Sequence, residues 1–108
     1  MKNNFLYRYT SNGEGVWSTG KRLLPEHLVD EANEARKWLI KPNLPEGNYS
    51  FYMTEKGKDM YEKTLLKVHQ KYLSNIKCEK YSFDEVIKNS EIAYEDENQL
   101  VIKITNEK

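Results

Sequence analysis

The chain is poor in cysteine and proline, with one and three respectively, and no apolar run approaches the length needed to cross a bilayer. The lone Cys78 rules out an internal disulfide and fits a reducing compartment. Charge of one sign is also missing, because 17 Lys and Arg balance 17 Asp and Glu. No global field therefore draws the chain toward nucleic acid or an anionic membrane. Met1-Lys2-Asn3-Asn4 carries one cation with no apolar stretch behind it, so a secretion signal is not expected. These absences point to a soluble cytoplasmic protein without membrane contact. Repeats, low-complexity segments and dividing linkers are absent too, so the 108 residues are expected to form a single domain, 1–108.

Aromatics are present in number: eight Tyr, two Trp and three Phe, each carrying enough apolar area to build a core in a chain of low mean hydropathy. Phe5 to Thr10 alternates large side chains and predicts a strand, with Phe5, Tyr7 and Tyr9 on one face and Leu6, Arg8 and Thr10 on the other. Leu28, Ala32, Ala35 and Leu39 recur at helical steps after Pro25, predicting a helix over 25–39. Acidic residues at its start and Arg36 and Lys37 at its end suit the helix dipole. Tyr49 to Met53 reads as a second strand. Thr54 is then an N-cap for a helix whose stripe, Gly57, Tyr61, Leu65, Val68 and Tyr72, runs to about Leu73. Ile76 to Tyr81 is expected to be a strand with Cys78 inward. Ser82 and Glu85 suggest a capping box before a short helix, and Ile92 to Thr105 a closing hairpin. Leu100, Ile102 and Ile104 would form its inner face. The fold expected is α+β: a mainly antiparallel sheet of about four to five strands packed by two amphipathic helices.

The stretch Ser11 to Arg22 concentrates three glycines, three hydroxyls, Trp17, Lys21 and Arg22 between the first strand and the first helix. Read as a loop, its flexible backbone, amide donors and positive charge suit an anionic ligand. Trp17, Lys21 and Arg22 are the expected binding residues, hinged by Gly13, Gly15 and Gly20. The competing reading makes Trp17 a structural plug covered by the core, with the two cations incidental. Gly15 to Lys21 also matches G-x-x-x-x-G-K, but Arg22 stands where a phosphate loop needs Ser or Thr for magnesium. The predicted strand ends well before Gly15, whereas the motif needs a strand running directly into it, so the nucleotide reading is rejected.

Other clusters read more simply as scaffold. Lys63, Lys67 and Lys71 form a ridge opposite the apolar stripe, where a solvated face is the plainer account. Glu95-Asp96-Glu97 lacks the regular spacing of a calcium loop and reads as a solvated turn. Cys78, His27 and His69, with His69 on the polar side of its helix, have nothing in the sequence to bring them together, and no metal site is expected.

Two motifs resemble known families. Tyr52-Met53-Thr54-Glu55-Lys56-Gly57 before a long helix resembles the wing-to-helix junction of winged-helix regulators of the MarR and PadR type. In that family three helices precede the wing and one enters the major groove, whereas Met1 to Asn48 offers one strand, one loop and one helix. Nucleic acid is thus not the expected partner. Leu6-Tyr7-Arg8 on a first strand, a polar middle segment and Tyr94 to Gln99 entering a last apolar strand resemble the layout of small ADP-ribosyltransferases. That resemblance implies NAD as substrate, with Arg8 as its anchor and Glu97 as the catalytic acid. A Ser-Thr-Ser strand is lacking. No constellation supplies nucleophile, base and orienting group together. The leading reading is a non-catalytic module for a protein partner or an anionic small molecule, with the transferase and the DNA-binding regulator as alternatives. Open sheet edges and Tyr-rich faces also raise self-association as an expectation.

Overall fold

A computed structural model describes residues 5–88 and 90–104. The fold is α+β, built on a six-stranded sheet in which every pairing is antiparallel. Strand β1 (Phe5–Ser11) is its spine, because alternating large side chains bury both of its faces. Along one edge it pairs over its full length with β4 (Ile76–Ser82), from Phe5 opposite Ser82 to Ser11 opposite Ile76. Its other edge is shared by two strands. The short β2 (Glu14–Gly15) takes the Ser11 end, and β3 (Tyr49–Met53) meets it only where Tyr7 faces Met53. The sheet continues from β3 to β6 (Gln99–Lys103) and β5 (Glu91–Glu95).

Two cores lie on opposite faces. Tyr9 and Met53 face helices that contribute Val16, Ala32, Tyr61, Leu65, Val68 and Leu73. Leu6, Leu100 and Ile102 face the other way, onto Val86 of the short helix α5 (Phe83–Ile87). Leu28 and Leu65 are both buried, as their stripes require. Val101 is fully buried as well, because β6 lies between two strands and is covered on both faces; Ile104, expected inside, is exposed. The edge strands β4 and β5 carry Lys77, Glu79, Lys80, Glu91 and Glu95, and β5 is irregular between Ile92 and Tyr94. Charges and a bulge are the features that discourage edge-to-edge pairing.

The glycine-rich stretch is not a loop. Asn12 and Gly13 have φ of 54° and 84°, the two positive values that a two-residue hairpin turn demands, and they fold β2 back on β1. Helix α1 (Val16–Leu23) follows at once, burying Val16, Thr19 and Gly20 at helical spacing. Gly20 is therefore a packing position rather than a hinge: a β-carbon there would stand 2.6 Å from His69 Nε2. The first predicted helix is also shorter than its stripe. A 3₁₀ turn at Glu26–Leu28 leads into α2 (Val29–Ala35), and the chain leaves the helix at Arg36. The second predicted helix breaks into α3 (Glu55–Lys63) and α4 (Leu65–His69) at Thr64.

One indole accounts for both breaks. Trp38 Nε1 donates to the Ala35 carbonyl and to Thr64 Oγ1, each at 2.9 Å. The Thr64 hydroxyl donates in turn to the Met60 carbonyl at 2.6 Å, the back-bonding that bends helices. Ser82 precedes α5 as expected, but its side chain makes no capping bond.

Candidate functional site

Trp17 stands on α1 between two cavities. Half-buried, it presents its ring edge to Tyr61 with centroids 5.5 Å apart, so it is packed against the core without being covered. The first cavity, of about 240 Å³, has walls of Trp17, Leu39, Ile40, Pro42, Phe51 and Leu65. Its polar lining is Lys21, Arg36, Lys41 and Gln99. None of these is a carboxylate. Among the described residues, Lys21, Arg36 and Lys41 form no ion pair, whereas Arg22 is taken by Glu14 at 2.6 Å and Lys71 by Glu31 at 2.6 Å. Gln99 is buried and donates through Nε2 to the Ile40 carbonyl at 2.5 Å. That bond ties the 36–42 segment over the cavity.

The second cavity, of about 440 Å³, opens where β1 and β3 diverge beyond their single residue pair. Tyr9, Trp17, Phe51 and Met53 reach it from one face of the sheet, Arg8 and Ser50 from the other. Trp17 and Phe51 line both cavities and form the wall between them.

The residues singled out by sequence are distributed as follows. Trp17 and Lys21 line the first cavity; Gly15 lines the second. Arg22 is exposed and paired with Glu14, Gly13 forms the hairpin turn, and Gly20 lies under His69. Arg8 borders the second cavity with Ser50 and pairs with Glu79 at 3.7 Å. Glu97 borders neither cavity: it sits in the β5–β6 turn, 2.6 Å from Lys56. The anchor and acid implied by the transferase layout share no cleft. The Thr54-to-Gly57 motif works as an N-cap, with Thr54 Oγ1 accepting from Gly57 N at 3.0 Å, and β3 is preceded by α1, a 3₁₀ turn and α2 on an antiparallel sheet.

His69 overturns its sequence assignment. It is buried, its Nδ1 lies 2.7 Å from the Tyr61 hydroxyl, and its ring meets Tyr72 edge-on. Burial, aided by the positive charge of Arg36, lowers its pKa to about 4, so the ring is neutral at pH 7. His69 follows Leu65 by four positions and so flanks the apolar stripe on a helical wheel, where packing against Tyr61 and Tyr72 buries it. Cys78, expected inside, is exposed on the edge strand opposite Tyr9, and partial desolvation of its thiol by its neighbours raises its pKa. His27 is exposed on the 3₁₀ turn, and no hydrogen bond joins Cys78 to either histidine.

Over the β1 tyrosines runs a polar seam. Tyr7 donates to Glu55 at 2.9 Å and Tyr9 donates to Glu62, which Lys58 approaches at 3.4 Å. The Tyr9 hydrogen bond holds the Glu62 carboxyl below the usual carboxylate range, against its burial. In the acidic turn, Asp96 accepts from the backbone of Asn98 and Gln99 at 2.8 and 3.0 Å, a turn-closing role. Among the described residues no group of three His, Cys, Asp or Glu is placed to hold a metal ion, and no helix is long and apolar enough to cross a membrane.

Arg36, Lys41, Phe51, Leu65 and Gln99 were not read as site residues from sequence. The run Arg36-Lys37-Trp38-Leu39-Ile40-Lys41 held the signal, cations flanking an apolar core, but helical spacing assigned it to a helix end. No family model, no curated protein and no solved structure matches this chain.

Proposed function

We propose that the protein is a non-catalytic cytoplasmic binding module that takes up an anionic small molecule in the cavity beside Trp17. The single observation that carries this reading is the convergence of Lys21, Arg36 and Lys41, none of them ion-paired among the described residues, on a mainly apolar cavity without a carboxylate in its lining. Like charges gathered in one place repel, and an anion relieves that repulsion while the apolar walls desolvate its body. The proposed contacts are Trp17, Lys21, Arg36, Lys41, Phe51 and Gln99. Gly13, Gly15, Gly20 and Arg22 then support the site by holding α1 in place. The absence of a nucleophile–base pair at the cavity favours binding over catalysis.

Thermal unfolding with a panel of small organic anions tests this. A ligand present at a hundred times its Kd stabilises the fold by about 2.7 kcal/mol. The stabilisation should disappear in the Lys21→Gln/Arg36→Gln variant, whose exposed substitutions leave the unliganded melting temperature nearly unchanged. A panel in which no anion shifts the melting temperature at millimolar concentration defeats the proposal.

A further inference from the structure

We infer that the ligand is a monoanionic aryl carboxylate of one or two rings, its ring against Trp17 and Phe51 and its carboxylate on the Arg36 guanidinium. This rests on the anion-binding reading above and narrows it. Size sets the first limit. A cavity of roughly 150 Å³ holds a benzene molecule; about 240 Å³ accommodates a one- or two-ring acid. Wall chemistry sets the second. Two aromatic side chains with Leu39, Ile40 and Leu65 offer a ring both stacking and edge contacts, and besides the three cations the only polar lining is Gln99, whose Nε2 already bonds Ile40.

The head group follows from where the cations sit. Lys21 lies in the last turn of α1, and Arg36 is the C-terminal cap of α2. Helix C-termini carry partial negative charge, which disfavours a second charge on the ligand. No glycine lines the cavity to bare its amides, so the backbone cradle that phosphates use is missing. A planar guanidinium at the rim matches a planar carboxylate through two parallel hydrogen bonds, a fit that lysine cannot give.

Isothermal titration with four probes tests the inference: 2-naphthoate, 2-naphthamide, 2-naphthyl phosphate and octanoate. We expect 2-naphthoate to bind most tightly, each of the others at least about tenfold more weakly, and Arg36→Lys to cost 2-naphthoate about tenfold through loss of the paired hydrogen bonds. If 2-naphthyl phosphate binds as tightly as 2-naphthoate, the carboxylate assignment falls while the anion site stands. Octanoate binding equally well removes the aryl requirement alone. Equal binding of 2-naphthamide, or no binding by any charged probe, overturns both this inference and the function on which it rests.

Discussion

The two ends of β3 differ sharply. At the Met53 end the backbone is clamped. Thr54 Oγ1 accepts from Gly57 N and donates to the Glu97 carbonyl at 2.7 Å, while Thr54 N donates to the Asn98 carbonyl at 3.1 Å. A β-carbon on Gly57 would lie 1.9 Å from that same Asn98 oxygen, so the first turn of α3 rests directly on the β5–β6 turn. At the Tyr49 end the strand parts from β1 and borders both cavities through Phe51. One strand of five residues thus acts as a fixed frame at one end and as the wall of an open site at the other. The second cavity arises where the pairing of β1 with β3 stops, and Phe51 separates it from the first.

The largest effect should come from breaking the clamp. In Gly57→Ala the new methyl meets a backbone oxygen that has no rotamer to change, so the turn must shift. A loss of about 3 kcal/mol or more is expected, at the upper end of overpacking costs. A urea midpoint unchanged from the parent chain would show that the two ends are equally yielding.

Acid should sharpen the contrast by loosening the open end first. The folded pKa of His69, about 4, lies below its unfolded value of 6.5. Between these values the unfolded chain binds the extra proton, so the stability contributed by neutral His69 is whole above pH 6.5 and lost as pH falls toward 4. The difference amounts to roughly 3 kcal/mol. Asp96 and Glu62, whose pKa values are depressed, add their losses only as pH falls through the carboxylate range. His69→Asn, which keeps an acceptor for Tyr61, should flatten the slope above pH 4. Hydrogen exchange should show amides of α1 and α4 opening before those of β5 and β6; the reverse order would refute the assignment.

The smallest effects separate Trp17 from Arg22. Trp17→Ala removes a half-buried ring and should cost roughly 2 to 3 kcal/mol, less than truncation of a fully buried Trp. Arg22→Ala, at an exposed pair with Glu14, should stay within about 0.5 kcal/mol. Equal melting temperatures for the two variants would show that Trp17 is not held by Tyr61.

Much of this molecule was legible in its sequence because the signals are local. Alternation in Phe5 to Thr10 and in Tyr49 to Met53 fixes strands, since a period of two buries one face whatever lies beyond it. Thr54 caps α3 because an oxygen three residues before an amide is within reach in any fold. Asn12-Gly13 was equally readable as a hairpin turn, yet three nearby glycines suggested a loop instead. Of the site, Trp17 and Lys21 were legible as an aromatic and a cation set close together, but Arg36, Lys41, Phe51, Leu65 and Gln99 come from four other segments.

The sequence by itself determined the strands other than β2, the Thr54 cap, the apolar stripes and the α+β class. Each follows from contacts between residues a few positions apart. Tertiary structure alone decided where the helices end: Trp38 reaches across 26 positions to the Thr64 hydroxyl while bonding the Ala35 carbonyl, and so joins the two helix ends. It also decided that His69 packs among Trp17, Tyr61 and Tyr72 and that Lys21, Arg36 and Lys41 line one cavity. Such outcomes depend on which side chains compete for the same carbonyl or the same space, and that competition exists only once the chain has packed.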